Sequence, residues 1–387
     1  MLAIPAQAFT SLYVFGDALS TTTDNTYYSA QYPKQYYGKR YSNGRVWVEV
    51  LAQRQGIPIA TNWSYFDNDS TSVVVNVKSV SSIPTNALVV LWCNNSDLYD
   101  LAVNNGTENT GQWNTAISQD QTAEYNTIVQ LHAKGARTII MPNVVNLGEV
   151  PGFDQSYTPA YLNYIQQECI AYNVAFSNTL NQARTTYHDM TIYQPDFFSL
   201  LNNVLAHAGS YGLTNVLSYG EPIDAIDALG SAAATNGLGD NYVYWDELDP
   251  SAKFHEIIAD TVQQQISPVQ ISSLTVLSAQ PQGATSLFNL ENIPVGLNGF
   301  IDGTTNIGQA NLTWTPITSF SSTSTSQSFV ANTPPIPVVV EAGGYGSIYP
   351  GSGSSGSESS NNNGASTNSL GYIQGFRLRF PLTWSWP

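Results

Sequence analysis

Residues 9–266 alternate short apolar runs with longer stretches in which apolar residues recur at helical spacing. The apolar runs SLYVFG, NALVVLWC, RTIIMPNV and MTIYQPD predict buried strands. The stretches NGRVWVEVLAQRQG, QTAEYNTIVQLHAKGA, TPAYLNYIQQECIAYNVAFSNTLNQAR, PDFFSLLNNVLAHAGSYG and SAKFHEIIADTVQQQI predict helices. Because strands and helices alternate, this region is predicted to be an α/β domain whose parallel sheet is covered on both faces.

The pattern changes after Ile266. Residues 267–387 contain short runs, several of them alternating apolar with polar, separated by Gly, Pro, Asn and Ser, which predicts an all-β, sandwich-like domain. Within it, the Gly/Ser/Asn-rich insert 343–371 has the composition of a flexible loop. Residues 1–8, MLAIPAQA, end in a small-x-small pattern and are either the remnant of a secretion signal or a short tail.

Composition narrows the classes of function. The 387 residues are 42% hydrophobic, which is typical of a globular chain, and only 10% charged. A net charge of −16 argues against nucleic acid and anionic lipid as partners, and no run is long enough to span a membrane. The polar surface must come mainly from Ser, Thr, Asn, Gln and Tyr, and this composition predicts a secreted protein, extracellular or held at the cell surface.

Two cysteines, Cys93 and Cys169, are too few for a disulfide framework. Both stand in apolar surroundings, which favours buried free thiols, although spacing leaves open whether they pair.

Six segments of the first domain resemble, in order, the conserved blocks of the SGNH (GDSL-type) hydrolases. They are YVFGDALS, YYGKRYSNGRVWVEVLAQ, VVLWCNNSDL, MPNVVNLGEVPGF, FFSLLNNVLAHAGSYGLTNV and YVYWDELDPSAKFHEIIAD. The resemblance implies a three-layer, flavodoxin-like parallel sheet. It also implies an esterase site in which a serine attacks, a histidine takes the proton, and an aspartate orients the histidine.

The residues at those positions depart from the family pattern. Ala18 stands where the nucleophilic serine belongs, and Asp249 stands where the histidine belongs. The aspartate is kept as Asp246, and the oxyanion-hole glycine is kept as Gly44. The resemblance therefore implies a site without its nucleophile and its base.

The asparagine that completes the oxyanion hole is ambiguous in the third block. Aligning Asp97 with the family's aspartate places Asn94 on the family's glycine and Ser96 on its asparagine. A shift of one residue gives the donor role to Asn95 instead.

Other residues offer weak substitutes for the lost chemistry. Ser20 lies two residues beyond the nucleophile position and is predicted to point elsewhere, and His255 is predicted to pack within the last helix. His132, His188 and His207 have no carboxylate nearby in a triad pattern and are predicted to be ordinary core or surface histidines. Asp17, Asp246 and Asp249 could instead hold calcium, but the favoured prediction is no metal and no cofactor.

The sequence thus favours a catalytically inactive SGNH-like protein with a structural or interaction role, and self-assembly into a filament or surface layer is one form of it. Trp384 and Trp386 in the terminal TWSWP are the predicted interaction surface, for a homo-oligomer, a polymer or a carbohydrate. Two alternatives stay open: an ester hydrolase with an atypical site, acting on acetylated polysaccharide or lipid, and a carbohydrate-binding protein that uses the old cleft.

Overall fold

The structure is a computed structural model that describes residues 9–105, 108–154, 156–214, 217–218, 221–222, 224–280, 283–293, 295–296, 298–304, 315–333, 344–345 and 375–379. The chain divides into two compact units. The first comprises Met1–Gln53 and Ile57–Ile266, and the second comprises Arg54–Gly56 and Ser267–Pro387.

The first unit is built on a five-stranded parallel sheet. Its strands, in chain order, are β1 Leu12–Gly16, β2 Ile59–Ser64, β3 Leu88–Trp92, β4 Thr138–Ile140 and β5 Thr191–Tyr193. Their order in the sheet is β2-β1-β3-β4-β5, with Leu12 opposite Leu88 and Gly16 opposite Trp92. This order confirms the flavodoxin-like prediction, and in such sheets ligands bind at the carboxyl ends of the strands, where the winding direction changes. Here that point lies between β1 and β3.

Ten helices of the first unit are described. They are α1 Tyr27–Gln31, α2 Trp47–Gln55, α3 Ser70–Ser79, α4 Asn94–Asn105, α5 Thr110–Ala133, α6 Pro151–Asp154, α7 Pro159–Thr186, α8 Phe197–Ala206, α9 Ala225–Leu229 and α10 Ala252–Ile266. A two-stranded ribbon, β6 Leu217–Ser218 and β7 Glu221–Pro222, precedes α9.

Several of these elements have no counterpart in the sequence-based prediction, among them β2, α3 and α4. The α3 sequence STSVVVNVKS is rich in β-branched residues, yet it is helical because Asp69 caps its first turn by accepting a hydrogen bond from the Ser72 N–H. Val73 and Val77, four residues apart, are then buried on one face of this helix. Tertiary packing thus overrides the local preference for a strand.

The second unit is antiparallel, as predicted. Its strands are β8 Gln270–Gln280, β9 Gly283–Glu291, β10 Asn298–Thr304, β11 Thr315–Ser321, β12 Ser326–Thr333, β13 Gly344–Tyr345 and β14 Gly375–Arg379. They form a four-stranded sheet, β12-β9-β8-β13, and a three-stranded sheet, β11-β10-β14. Phe288 and Leu290 from the first sheet share one core with Ile301 and Phe320 from the second.

Several predictions fall outside the described residues. Residues 1–8, most of the insert 343–371, and Trp384 and Trp386 all lie there. Among the helices that are described, none combines the length and the apolar character needed to cross a bilayer. Cys93 and Cys169 are both buried free thiols, as their surroundings predict.

Candidate functional site

The first part of the site is the turn that follows β1. The Asp17 carboxylate accepts a hydrogen bond from the Leu19 N–H at 3.0 Å, which closes a short 3₁₀ turn over Ala18–Ser20. Gly16 permits this turn because a Cβ there would lie 2.9 Å from the carbonyl oxygen of Trp92. Ala18 is therefore held at the carboxyl end of β1, the edge of the sheet where ligands bind in folds of this type.

The start of α4 brings Asn95 to the same place. Its Nδ2 donates to Asp17 Oδ2 at 3.3 Å, and its Oδ1 accepts from the Val145 N–H at 3.1 Å. Asn94 is directed elsewhere and donates to the carbonyl oxygen of Pro142 at 3.0 Å. Of the two asparagines, it is therefore Asn95 that lies beside the Ala18 turn.

The third part is the turn before α10. The Trp245 N–H donates to the Asp249 carbonyl oxygen at 2.8 Å and closes this turn. Asp246 Oδ1 accepts from the backbone N–H groups of Leu248 and Asp249 at 3.1 and 2.9 Å, and its Oδ2 accepts from the Tyr36 hydroxyl at 3.0 Å. All the hydrogen bonds that Asp246 accepts here thus come from its own turn and from one tyrosine.

The Asp249 side chain differs from its two neighbours because it accepts no hydrogen bond from the residues that the structure describes, although Asp249 is only 3% exposed. Burial raises its pKa well above the usual range, and the carboxylates of Asp246 and Asp17 add to that shift. Burial also raises the pKa of Asp17 to about 7 and that of Asp246 to about 6. Three carboxyl groups meet here without a cationic partner in their hydrogen bonds.

Two cavities open onto these turns. The smaller, about 80 Å³, has a polar end formed by Asp17, Ala18, Asn95, Ser96 and Asp249. The rest of its lining is largely apolar and includes Trp92, Phe153, Phe197, Leu201 and Phe254. A small apolar group could occupy this space with its polar end against the turn that holds Ala18.

The larger cavity, about 820 Å³, shares Phe66, Tyr99, Leu248 and Asp249 with the smaller one. Its described lining combines aromatic rings with acidic side chains. The rings are Tyr28, Tyr32, Tyr36, Tyr41, Phe66 and Tyr99, and the acids are Asp224, Asp227, Asp246, Glu247 and Asp249. Lys34 is the one cationic residue in this described lining.

The structure separates the other predicted residues from this cleft. Gly44 lines neither cavity and faces Ala252, whose Cβ would be 2.5 Å from a Cβ at position 44. Ser20 is fully buried and accepts a hydrogen bond from Trp47 Nε1 at 3.1 Å. His255 is buried in α10, where burial lowers its pKa to about 3.

His132 has a carboxylate partner that the sequence did not reveal. His132 Nε2 lies 2.8 Å from Asp189 Oδ1, and Arg137 lies 2.9 Å from the other oxygen of the same carboxylate. Residues 57 positions apart meet here because β4 and β5 are neighbours in the sheet. None of the three lines either cavity, and Asp189 is more than half exposed, so this is a surface ion pair.

Sequence reasoning missed Tyr36 and Asp224 as cleft residues. The tyrosine-rich run YYSAQYPKQYY was the available signal for Tyr36. No pattern in the sequence marks Asp224 as a cleft residue, because only folding brings it near Asp246. Within the described part of the chain, no group of three His, Cys, Asp or Glu side chains could hold a metal ion, so the calcium hypothesis lacks a ligand set there.

Comparison with known proteins locates this domain among the hydrolases. The family model described as GDSL-like Lipase/Acylhydrolase matches residues 12–262. The thermolabile hemolysin of Vibrio parahaemolyticus is 20% identical over 275 residues, which are 67% of this chain. The match spans 64% of the length of that hemolysin.

Solved structures of esterases are also similar. The psychrotrophic esterase EstA from Pseudoalteromonas sp. is 14% identical, with a TM-score of 0.34 over 66% of this chain and 96% of the esterase. The acetylxylan esterase Axe2 from Geobacillus stearothermophilus is 12% identical, with a TM-score of 0.37 over 67% of this chain and 96% of Axe2.

Proposed function

The chain belongs to the GDSL-like lipase/acylhydrolase family, and from that membership we propose that it is a member that binds ligands in its cleft without hydrolysing esters. The observation that carries this proposal is the presence of Ala18 and Asp249, at the positions of the nucleophile and the base, in the lining of one cavity. The cleft is present, and the two groups that would perform the chemistry are replaced.

The chemical argument concerns the first step of ester hydrolysis. A nucleophile needs a lone pair and a base that takes its proton, and a methyl group offers neither a lone pair nor an acidic proton. Ser20 is buried against Trp47 and lies outside both cavities. At position 249 a carboxyl group, whose pKa is raised by burial, stands in place of the imidazole that takes the nucleophile's proton in the triad mechanism.

A second function has one observation in its favour. Ser96 places a residue with a hydroxyl group in the same cavity as Asp249, and the family consists of lipases and acylhydrolases. An ester hydrolase with Ser96 as an atypical nucleophile is therefore the alternative that the experiment must separate from inactivity.

The setting that we propose is outside the cell, supported by the 10% charged fraction and the 23 tyrosines. Self-assembly and carbohydrate binding through Trp384 and Trp386 remain predictions of the sequence, since both residues lie outside the described ranges.

The test is hydrolysis of p-nitrophenyl acetate and butyrate by the wild-type chain and by the double variant Ala18→Ser/Asp249→His. We expect the wild type to match the uncatalysed rate and the double variant to exceed it by about 10²-fold or more, because the variant restores the nucleophile and its base. Asp249→His alone is the matched control, since it supplies the imidazole without the hydroxyl.

Each part of the proposal can fail separately. Wild-type turnover that Ser96→Ala abolishes would contradict inactivity and establish the alternative. A folded double variant that stays at the uncatalysed rate would contradict the idea that the cleft still has its hydrolytic geometry.

A further inference from the structure

The larger cavity is too extensive for a single bound ion and is walled by aromatic rings. Its volume of about 820 Å³ lies within the range of sites for small organic molecules. The rings of Tyr28 and Tyr36 lie 6.1 Å apart between centroids, and those of Tyr41 and Phe66 lie 5.9 Å apart. Both pairs are tilted, at 39° and 43°, so the wall is curved and offers ring faces in more than one direction.

The described lining of this cavity has many more acidic than basic side chains. Five carboxyl groups face a single cationic residue, Lys34, among the described lining residues. The arginine ion pairs Arg40–Glu49 and Arg137–Asp189 supply no cation to these five carboxyl groups. The cavity therefore presents a negative potential that its own side chains do little to offset.

Two of these carboxyl groups are also short of hydrogen-bond partners. The Asp249 side chain, 3% exposed, accepts no hydrogen bond from the described residues. Asp224 is 1% exposed; its Oδ1 accepts from the Asp227 N–H at 2.8 Å, and its Oδ2 has no partner in the described part of the chain. Burying an unpaired carboxylate is costly, and a bound cation would offset that cost.

We propose that this cavity binds an organic cation of the alkylammonium type, with its charge beside the Asp249 carboxylate and its methyl or methylene groups against the tyrosine rings. Aromatic faces attract such cations through their quadrupole, and the attraction grows when the site excludes water. A metal ion would need neither the aromatic rings nor the large volume of this cavity, and the described residues form no group of metal ligands. The inference rests on the proposed function, because the occupant is bound beside Ala18 and not hydrolysed there.

A neutral sugar would also contact tyrosine rings and acidic side chains. It would bring no positive charge to the five carboxyl groups, so their mutual repulsion would persist after binding. This difference in charge is what the experiment measures.

The experiment is isothermal titration calorimetry of the full chain with choline chloride and with 3,3-dimethylbutan-1-ol, in which carbon replaces the quaternary nitrogen. We expect choline to bind at least about 10-fold more tightly than this neutral analogue, a difference of about 1.4 kcal/mol. A xylo-oligosaccharide serves as the carbohydrate probe and is expected not to bind in this cavity.

Two variants locate the site and one controls for overall charge. Asp249→Asn removes the charge at nearly constant shape, and Tyr32→Leu removes a partly exposed ring, so each is expected to weaken choline binding by about 10-fold. Asp189→Asn changes the net charge equally at a surface residue that lines neither cavity, and it should alter the affinity by less than about twofold. Circular dichroism establishes that each variant is folded.

Several results would overturn the inference: equal affinity for choline and its neutral analogue, no binding of choline to the wild type, binding of the oligosaccharide alone, or an equal loss in Asp189→Asn. Failure of the proposed function has a different signature. Wild-type ester turnover together with choline binding would refute inactivity and leave the cation site standing.

Discussion

The first unit contains two groups of buried carboxyl groups that differ in their access to a ligand. The cleft group is Asp17, Asp246 and Asp249, at the carboxyl edge of the sheet. The interior group, Asp97 on α4 with Asp120 and Glu124 on α5, lines neither of the two cavities. Both groups have raised pKa values, and in both the main cause is burial.

In the interior group, Asp97 stabilises the start of α3. Asp97 accepts hydrogen bonds from both the backbone N–H and the hydroxyl of Ser70, the first residue of α3. Asp120 Oδ2 and Glu124 Oε2 have no partner among the described residues. Burial raises the pKa of Asp97 and Glu124 well above the usual range and that of Asp120 to about 7.

In the cleft group, Asp17 and Asp246 accept hydrogen bonds from backbone N–H groups of their own turns, and Asp249 accepts none from the described residues. All three residues line a cavity. Raised pKa values occur in both groups, so they do not by themselves mark the functional site. What distinguishes the cleft is a cavity against the unpaired carboxyl group. Contact with a cavity, more than a raised pKa, therefore separates a candidate site from a buried structural cluster.

The largest expected difference between the groups is in stability. Asp97→Ala should lower the free energy of unfolding by about 3 kcal/mol, because it leaves the buried N–H and hydroxyl of Ser70 without their acceptor. Asp249→Ala should change it by no more than about 1 kcal/mol, since its side chain accepts no hydrogen bond from described residues. Urea denaturation followed by tryptophan fluorescence measures both.

Asp97→Asn is the matched control, because its amide oxygen can still accept from Ser70. It should recover most of the stability lost in Asp97→Ala. If Asp97→Ala and Asp249→Ala proved equally destabilising, the division into structural and ligand-facing groups would be wrong.

The next effect is the dependence of stability on pH. In the folded chain the pKa values of Asp17 and Asp120 are about 7 and that of Asp246 is about 6, against about 4 for unfolded aspartate. Between about pH 4 and pH 7 the folded chain therefore binds more protons than the unfolded chain. The stabilisation that these carboxyl groups contribute is complete below about pH 4 and is lost as the pH rises through 7.

His255 acts in the opposite direction, because its pKa falls to about 3 in the folded chain and its contribution is lost as pH falls below about 6.5. With several carboxyl groups against one imidazole, we expect the melting temperature to be higher at about pH 5 than at about pH 8, by on the order of 5 °C. Differential scanning fluorimetry across this range measures it.

The dependence of the melting temperature on pH can also be measured on variants of each group. Glu124→Gln and Asp249→Asn should each reduce this slope, because burial raises the pKa of both carboxyl groups well above the usual range. A melting temperature that rises steadily from pH 5 to pH 8 would contradict the sign of the argument.

The smallest effect concerns one hydrogen bond in the cleft. Tyr36→Phe removes the hydroxyl that donates to Asp246 Oδ2 and should cost about 1 kcal/mol, since the ring stays packed and Oδ1 of the same carboxyl group keeps its two backbone donors. Urea denaturation again measures the cost. A loss as large as that of Asp97→Ala would place the Tyr36 and Asp246 pair among the structural contacts.

The sequence predicted the elements whose patterns are strong and missed those whose patterns conflict with their environment. The apolar run around Leu88–Trp92 predicted a central strand because that strand is buried on both faces. Strand β2, IATNWS, was missed because it lies at the sheet edge and most of its residues are partly exposed. In the site, Ala18 and Asp249 line one cavity, whereas Gly44 lies outside both cavities, and the catalytic positions assigned to all three stay predictions of the sequence.

The order of strands and helices in the α/β domain and the change to β-strands after Ile266 could be predicted from the sequence. That Ala18 and Asp249 occupy the positions of the family's serine and histidine stays a prediction from the resemblance. These depend on local periodicity and on residue identity, which a linear chain records directly. Three features became visible only in the folded chain. They are the carboxyl groups that line a cavity, the contact of Asn95, and not Asn94, with Asp17, and the pairing of His132 with Asp189. Such pairings join residues up to 210 positions apart, as between Tyr36 and Asp246, and packing alone sets those distances.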